Sequence, residues 1–324
     1  MSMREILIIG NGFDLAHGLK TSYHDFLRWL FELTLSNPDK ISSIIQYRTD
    51  SRIVLDNLSN INKHRNEIIN HFNWKSIFLR GLFNNNLAEN WCDLESQYFV
   101  QLNKTDNPKK LNEDFNLLKE FLVEYLIEEQ TKFKKIDAYE KIFKSIDSKS
   151  ERHLILNFNY TKTVSEYAKS LLNTDLINIH GELSNPYNQI IFGYSANSQE
   201  NKLLLEKKQP TYLDNIKKYQ YRRTDNKDKL DSFMRQSSTP IKVNILGHSC
   251  GDSDANILSE ILDHPNIDRI QIFYFKDFDD YQVKQTSIDR VTNNHNAFNK
   301  IVNFKESKMM PQFNDESLTQ VSNS

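Results

Sequence analysis

Four short stretches gather the residues best suited to chemistry. Gly10-Asn11-Gly12 is followed closely by Asp14. A Gly-x-Gly spacing makes a tight turn whose backbone N–H groups can face an anion such as a phosphate. Asn157 and Asn159 straddle Phe158. On a strand they share one face, where an amide can hold a water or a sugar hydroxyl. One of them, or Thr161, can equally cap the helix that follows. His180 precedes Gly181, and His248 stands between Gly247 and Ser249. An imidazole that titrates near neutrality serves as a general base or orients a hydroxyl. Each group also has a plain structural reading: a tight turn, a helix cap, a packed core histidine. Asp14 in that reading only caps a short helix.

These groups matter together only if the chain brings them to one place. Each follows an apolar, β-rich run. "EILIIG" at 5–10 carries four aliphatic residues in succession, the pattern of a strand buried on both faces in a parallel sheet. "HLILNFNY" from His153, "LINIHGE", "IIFGYS" and "IKVNILGHS" read as further strands, and "RIQIFYF" closes the series. Helical patterns separate several of them, including "TKTVSEYAKSLL" and "SDANILSEILDH". Strands alternating with helices predict βαβ units and a parallel sheet, so the fold class is α/β and Rossmann-like. In such sheets ligands bind outside the carboxyl ends of the strands, where the four polar stretches fall.

"SYHDFLRWLFELTL" reads as a helix with a capping-box-like start at Ser22 and Asp25 and an apolar stripe of Phe26, Leu27, Leu30 and Phe31. From 37 to 149 strong strand runs are missing. "IVLDNLSNINKHRNEIINHF", "NWCDLESQYFVQL" and "LNEDFNLLKEFLVEYLIEEQ" have helical periodicity. The expected organisation is a Rossmann-like α/β domain formed by 1–36 and 150–305, a helical insertion over 37–149, and a polar tail over 306–324. A polar helical stretch covers about 199–236 and contains "YQYRR" at 219–223, which reads as a solvated helix face.

Composition narrows the function. The 41 basic and 43 acidic residues nearly cancel, so no strong attraction to nucleic acid or to an anionic membrane is implied. Two cysteines, Cys92 and Cys250, stand too far apart for a Cys-x-x-Cys zinc site, and no metal is expected. Free thiols without a signal peptide fit the cytoplasm, and no apolar run is long enough to span a membrane. Aromatic residues at 11% argue for a folded core. The dinucleotide fingerprint of dehydrogenases wants a third glycine where Leu15 stands, so that signal is incomplete.

"IIGNGFDLAHGL", "NWCDLE", "LNFNYT", "NIHGE", "IIFGYS" and "ILGHSCGDSDANI", in this order over about residues 4–275, resemble the AbiH family of phage abortive-infection proteins. That family in turn is similar to sirtuin-like NAD-handling domains. Gly10, Gly12, Gly18 and Leu19 keep the sirtuin glycine spacing. Phe158-Asn159-Tyr160-Thr161 corresponds to the sirtuin Gln-Asn-Ile-Asp segment, His180-Gly181 to its His-Gly, and Gly247-His248-Ser249 to its Gly-Thr-Ser. The sirtuin zinc cysteines are absent. Tyr23 stands at the arginine of the glycine motif, and Thr161 at the aspartate.

The resemblance implies anti-phage defence through hydrolysis of NAD to nicotinamide and ADP-ribose. In that scheme Asn159, His180 and Asp14 are catalytic. Asn159 positions the water or a ribose hydroxyl, His180 acts as base or orients a ribose hydroxyl, and Asp14 stabilises developing positive charge. Gly10, Asn11, Gly12 and Phe13 would cradle the diphosphate with Tyr160 and Gly181 beside them. Gly247, His248 and Ser249 would contact the adenosine half or its phosphates. A non-catalytic sensor of NAD or an ADP-ribose-like signal, regulating a partner, is the competing reading. A nuclease-type toxin is a third, but Asp93 and Glu95 lie two apart and make a poor metal pair. The phage-derived trigger and homo-oligomerisation stay open.

Overall fold

The computed structural model describes residues 3–48, 63–84, 91–147, 151–236, 238–292 and 296–313. Its strands are β1 (Arg4–Ile9), β2 (Ile45–Tyr47), β3 (Phe72–Trp74), β4 (His153–Asn157), β5 (Thr174–Asn178), β6 (Ile241–Leu246), β7 (Ile267–Tyr274) and β8 (Lys308–Met309). The chain divides into two compact units. The first comprises Met1–Leu19, Ile127–Ile191 and Tyr221–Ser324, and the second Lys20–Leu126 and Phe192–Gln220.

The first unit is built on a six-stranded sheet in the order β5-β4-β1-β6-β7-β8. Every pairing in it is parallel. Counted along the chain, the sheet strands run 3-2-1-4-5-6, the order of doubly wound dinucleotide-binding folds. The aliphatic run of β1 explains its central place. Ile6 and Ile8 enter one core with Leu154, Leu156, Val243 and Ile245 and the helices Asn226–Arg235, Ala255–Leu262 and Phe278–Val291. Leu7 and Ile9 enter the other with Phe13, Tyr139, Phe143 and Tyr167 and the helices Asp137–Asp147 and Thr163–Ala168. Alternation along a strand thus feeds two cores, one on each face, which is why β1 carries no polar residue from Ile6 to Ile9.

The second unit is mainly helical. Tyr23–Ser36 begins as its sequence predicts: the Ser22 hydroxyl oxygen accepts the Asp25 N–H at 3.2 Å, and Phe26, Leu27, Leu30 and Phe31 are buried. The helices Ile77–Asn84, Trp91–Lys104 and most of Pro108–Glu129 follow. Stacked rings run through it, with Phe115 lying on Phe192 at 5.0 Å and 2°.

Several details differ from the expectations. The helical region also holds an antiparallel pair, β2 with β3. Of the helical pattern over 53–72, residues 53–62 lie outside the described residues and a helix spans Arg65–His71. "IIFGYS" forms no strand, only an isolated bridge between Tyr194 and Ile216. The segment after Lys305 is not just a tail, because β8 extends the sheet beside β7. The units also divide elsewhere than at 36 and 149. The helix Tyr23–Ser36 goes with the second unit and the helix Asp137–Asp147 with the first. Among the described residues no helix is long and apolar enough to cross a membrane.

Candidate functional site

The site lies within the first unit, where neighbouring strands β1 and β6 end. This is the switch point of the sheet, from which successive strands are laid down on opposite sides. The turns after the two strands lie against one another. Gly10 N–H donates to Leu246 O at 3.2 Å and Gly12 N–H to Gly247 O at 2.8 Å. A Cβ on Gly12 would stand 2.7 Å from Gly247 O, and one on Gly247 would stand 2.4 Å from the Phe13 nitrogen. Gly247 also has φ +70°, a left-handed conformation that favours glycine. These glycines therefore let two strand ends touch backbone to backbone. Phe13 N–H is also engaged, by Gly10 O at 2.9 Å. Three amides that the spacing alone would assign to a phosphate are thus bonded within the protein.

The turn after β4 is tied to the turn after β1. Asn157 Oδ1 accepts Asn159 N–H at 3.1 Å, and Asn157 Nδ2 donates to Asn178 Oδ1 at 2.9 Å. Asn157 thus folds its own turn and reaches β5. Asn159 lies beyond the strand and donates from Nδ2 to Gly10 O at 3.2 Å. Asp14 is fully buried and accepts from the Thr161 hydroxyl at 2.6 Å and the Thr163 hydroxyl at 2.5 Å. Burial pushes its carboxyl up to about 6, while the Thr161, Thr163 and Asn159 donors act to lower it. Asp14 is therefore a clamp on the helix start at Thr163.

Two histidines meet on one carboxylate. His180 Nε2 lies 3.1 Å from Asp254 Oδ1, and His248 Nε2 lies 3.4 Å from Asp254 Oδ2. His180 Nε2 also meets the Tyr221 hydroxyl at 3.0 Å, and its Nδ1 meets Phe158 O at 3.2 Å. The Phe158 ring stands edge-on between the two imidazoles, at 5.0 and 4.4 Å. For His248, burial lowers the pKa. Asp254 and Cys250 raise it more, up to about 9. The Cys250 N–H donates to His248 Nδ1 at 2.9 Å and requires a lone pair there, so in this geometry the ring is neutral whatever the raising influences.

Of the residues chosen from sequence, Asn159, His180 and His248 are buried together with Asp254 at the strand ends, and Asp14 lies beside Asn159. Gly10 and Gly181 are buried as well. Phe13 is a core ring, 0% exposed and packed on His17, Tyr139 and Tyr167, so it is not placed to touch a ligand. Asn11, Gly12, Tyr160 and Gly247 are partly exposed, and Ser249 is exposed. Those five are the open edge of the site.

Asp254 and Tyr221 were not singled out by the sequence. Asp254 lies in "GDSDANI", where an acidic pair before a helix looks like ordinary capping. Tyr221 lies in "YQYRR", yet it is 5% exposed and turned onto His180, while Arg222 and Arg223 are exposed. In the second unit Glu95 is buried, pairs with Lys217 Nζ at 3.0 Å and accepts Gly193 N–H at 3.2 Å. Nothing is described for the side chains of Trp91 and Asp93.

The sequence model of the family described as bacteriophage abortive infection AbiH matches residues 6–276, most of the chain and all the strand ends above. No curated protein matches this sequence.

Proposed function

The chain belongs to the AbiH family of bacteriophage abortive infection proteins, and from that premise we propose that its first unit is a sirtuin-like NAD glycohydrolase. It binds NAD at the carboxyl edge of the parallel sheet and hydrolyses it to nicotinamide and ADP-ribose. The observation that carries this reading is the convergence at the switch point. Asn159 bonds Gly10 at the end of β1, His180 and His248 meet on Asp254, and the Phe158 ring packs against both imidazoles, so the ends of β1, β4, β5 and β6 come together. The strand order is the one that dinucleotide-binding folds use.

The chemistry asks little covalent work of the protein. Nicotinamide is a good leaving group once quaternised, so the task is to hold the ribose as positive charge develops and to admit one water. Asn159 positions that water or a ribose hydroxyl, and His180 fixes the turn that carries Tyr160. The diphosphate and adenosine half lie along Asn11, Gly12, Gly247 and Ser249, the partly open edge of the cluster. Purified protein is mixed with NAD, with and without phage extract, and free nicotinamide is followed by chromatography. Release is expected, and Asn159→Ala and His180→Ala should lose it while keeping a cooperative melt. No release under either condition overturns the hydrolase reading.

One observation favours a second reading, a non-catalytic nucleotide sensor. Both oxygens of Asp14, both ring nitrogens of His180 and the amide nitrogen of Asn159 are engaged inside the protein. A sensor would gain stability from NAD or ADP-ribose, about 2.7 kcal/mol at a hundredfold excess over Kd, and release nothing.

A further inference from the structure

We infer that Asp254 is a positioning residue of this site: it holds His180 as a fixed imidazolium rather than a general base, and holds His248 as the Nε2–H tautomer. The inference rests on the reading of this cluster as the nucleotide site.

The hydrogen-bond partners assign the protons. A carbonyl oxygen can only accept, so the 3.2 Å contact to Phe158 O puts a proton on His180 Nδ1. A carboxylate oxygen also accepts, so the 3.1 Å contact to Asp254 Oδ1 puts a second proton on Nε2. The Tyr221 hydroxyl at 3.0 Å can share that proton as an acceptor. His180 then carries a positive charge. His248 is the opposite case. Its Nδ1 accepts the Cys250 N–H, so its one proton is on Nε2 and points to Asp254 Oδ2 at 3.4 Å. The cluster therefore reads cation, carboxylate, neutral ring, and its charges cancel, as buried charges must.

Moving one proton from His180 Nε2 to Asp254 Oδ1 gives the competing assignment, neutral throughout. The contacts of Asp254 oppose it, because its other oxygen faces the His248 Nε2 proton, and a carboxylate with a donor at each oxygen keeps its charge. The groups facing His180 are Asp254, the Tyr221 hydroxyl, the Tyr160 ring stacked at 6.1 Å and the Phe158 carbonyl. His248, with Cys250 behind it, faces Asp254 from the other side. Asp254 is the one acid in this set. A cation with both nitrogens bonded has no lone pair for a water, so His180 acts by holding the β4 turn, while Asn159 can only orient the water, whose proton leaves to solvent after attack on the oxocarbenium-like ribose.

The test uses the full chain and imidazole nitrogen resonances, assigned with His180→Gln and His248→Gln. Wild type should show both His180 nitrogens protonated from about pH 6 to 8 and His248 protonated at Nε2 alone. In Asp254→Asn, burial without the carboxylate should leave His180 neutral, one proton short, across that range. Nicotinamide release by Asp254→Asn should then be roughly tenfold lower in kcat than wild type at every pH from 5.5 to 8, with KM little changed, because the bond to the Phe158 carbonyl is no longer charge-assisted. A neutral His180 in wild type, or an unaltered His180 titration in the variant, overturns the inference. If wild type releases no nicotinamide, the hydrolase reading fails, and the resonances still decide the role of Asp254. If Asp254→Asn does not fold, the wild-type resonances decide it alone. Tyr221→Phe serves as the control that removes a partner without removing the charge, and should leave His180 charged.

Discussion

Asp14→Asn tests whether the aspartate beside the glycine turn is a clamp or a charged participant. Burial raises the Asp14 carboxyl to about 6, above the ordinary value near 3.9, so the folded state binds this proton more tightly than the unfolded chain. Its contribution is present in full below pH 4 and is lost as pH rises through 6. A carboxyl moved that far from its ordinary value corresponds to about 3 kcal/mol. His17 works in the opposite direction over nearly the same range. Burial lowers it to about 4 against the pull of the Phe13 carbonyl, with Nδ1 on Phe13 O at 2.7 Å and Nε2 on the Tyr167 hydroxyl at 2.8 Å. Its contribution is present above pH 6.5 and is lost as pH falls through 4, again about 3 kcal/mol. In wild type the two slopes offset each other. Asp14→Asn removes one of them. Urea unfolding at half-unit steps from pH 4 to 7 should show a nearly flat difference between these groups in wild type. The variant should gain about 3 kcal/mol relative to wild type across that range. Taking variant minus wild type cancels every other titrating group that the substitution leaves alone. Parallel curves for the two proteins would refute the burial argument for Asp14.

Gly247→Ala should destabilise by about 2–4 kcal/mol, since left-handed backbone costs roughly 1–2 kcal/mol for a residue with a Cβ and the clash with backbone adds a packing penalty. Its Cβ would lie 2.4 Å from the Phe13 nitrogen; a loss under 1 kcal/mol in urea would show that the turns part easily. Glu95→Gln should cost about 1–3 kcal/mol by turning the charge-assisted bond from the buried Lys217 ammonium into a bond to a neutral amide. The double change Glu95→Met with Lys217→Met should recover most of that loss, and a double variant no better than the single would locate the cost elsewhere.

How much of this was readable beforehand depends on whether the signal was local. β1 announces itself because a strand covered on both faces must be apolar, and Ile6–Ile9 satisfies that at every position, while β4, β6 and β7 carry aliphatic runs broken in β6 by Lys242 and Asn244 and in β7 by Gln271. "IIFGYS" is also rich in apolar residues, but its ring at Phe192 stacks on Phe115 and its backbone forms a single bridge and no ladder, so apolar content reported burial and not a strand. β8 was invisible for the converse reason, since Lys308 and Met309 are exposed and owe their strand to the β7 edge. The division into units was misplaced because it depends on which core each helix enters. The stripe of Tyr23–Ser36 shows that the helix is packed but not on what.

The site was legible as a place and not as a set of roles, and the physical reason is the same for each residue. Short polar groups at the carboxyl ends of parallel strands must meet if the sheet forms, so Asn159, His180 and His248 could be gathered from sequence order alone. Their roles are fixed by partners remote in sequence. Asp14 is a clamp because Thr161 and Thr163 reach it from the β4 turn. The glycines are spacers because the strand ends they serve, β1 and β6, are neighbours in the sheet though more than two hundred residues apart in the chain. His180 is charged because Asp254, in a run that reads as surface capping, turns inward onto it. A residue type states which bonds a group can make, while burial and partner decide which it does make. An imidazole between a carbonyl and a carboxylate is thereby a cation whose proton is held, and in the proposed hydrolase that constraint removes His180 as a base.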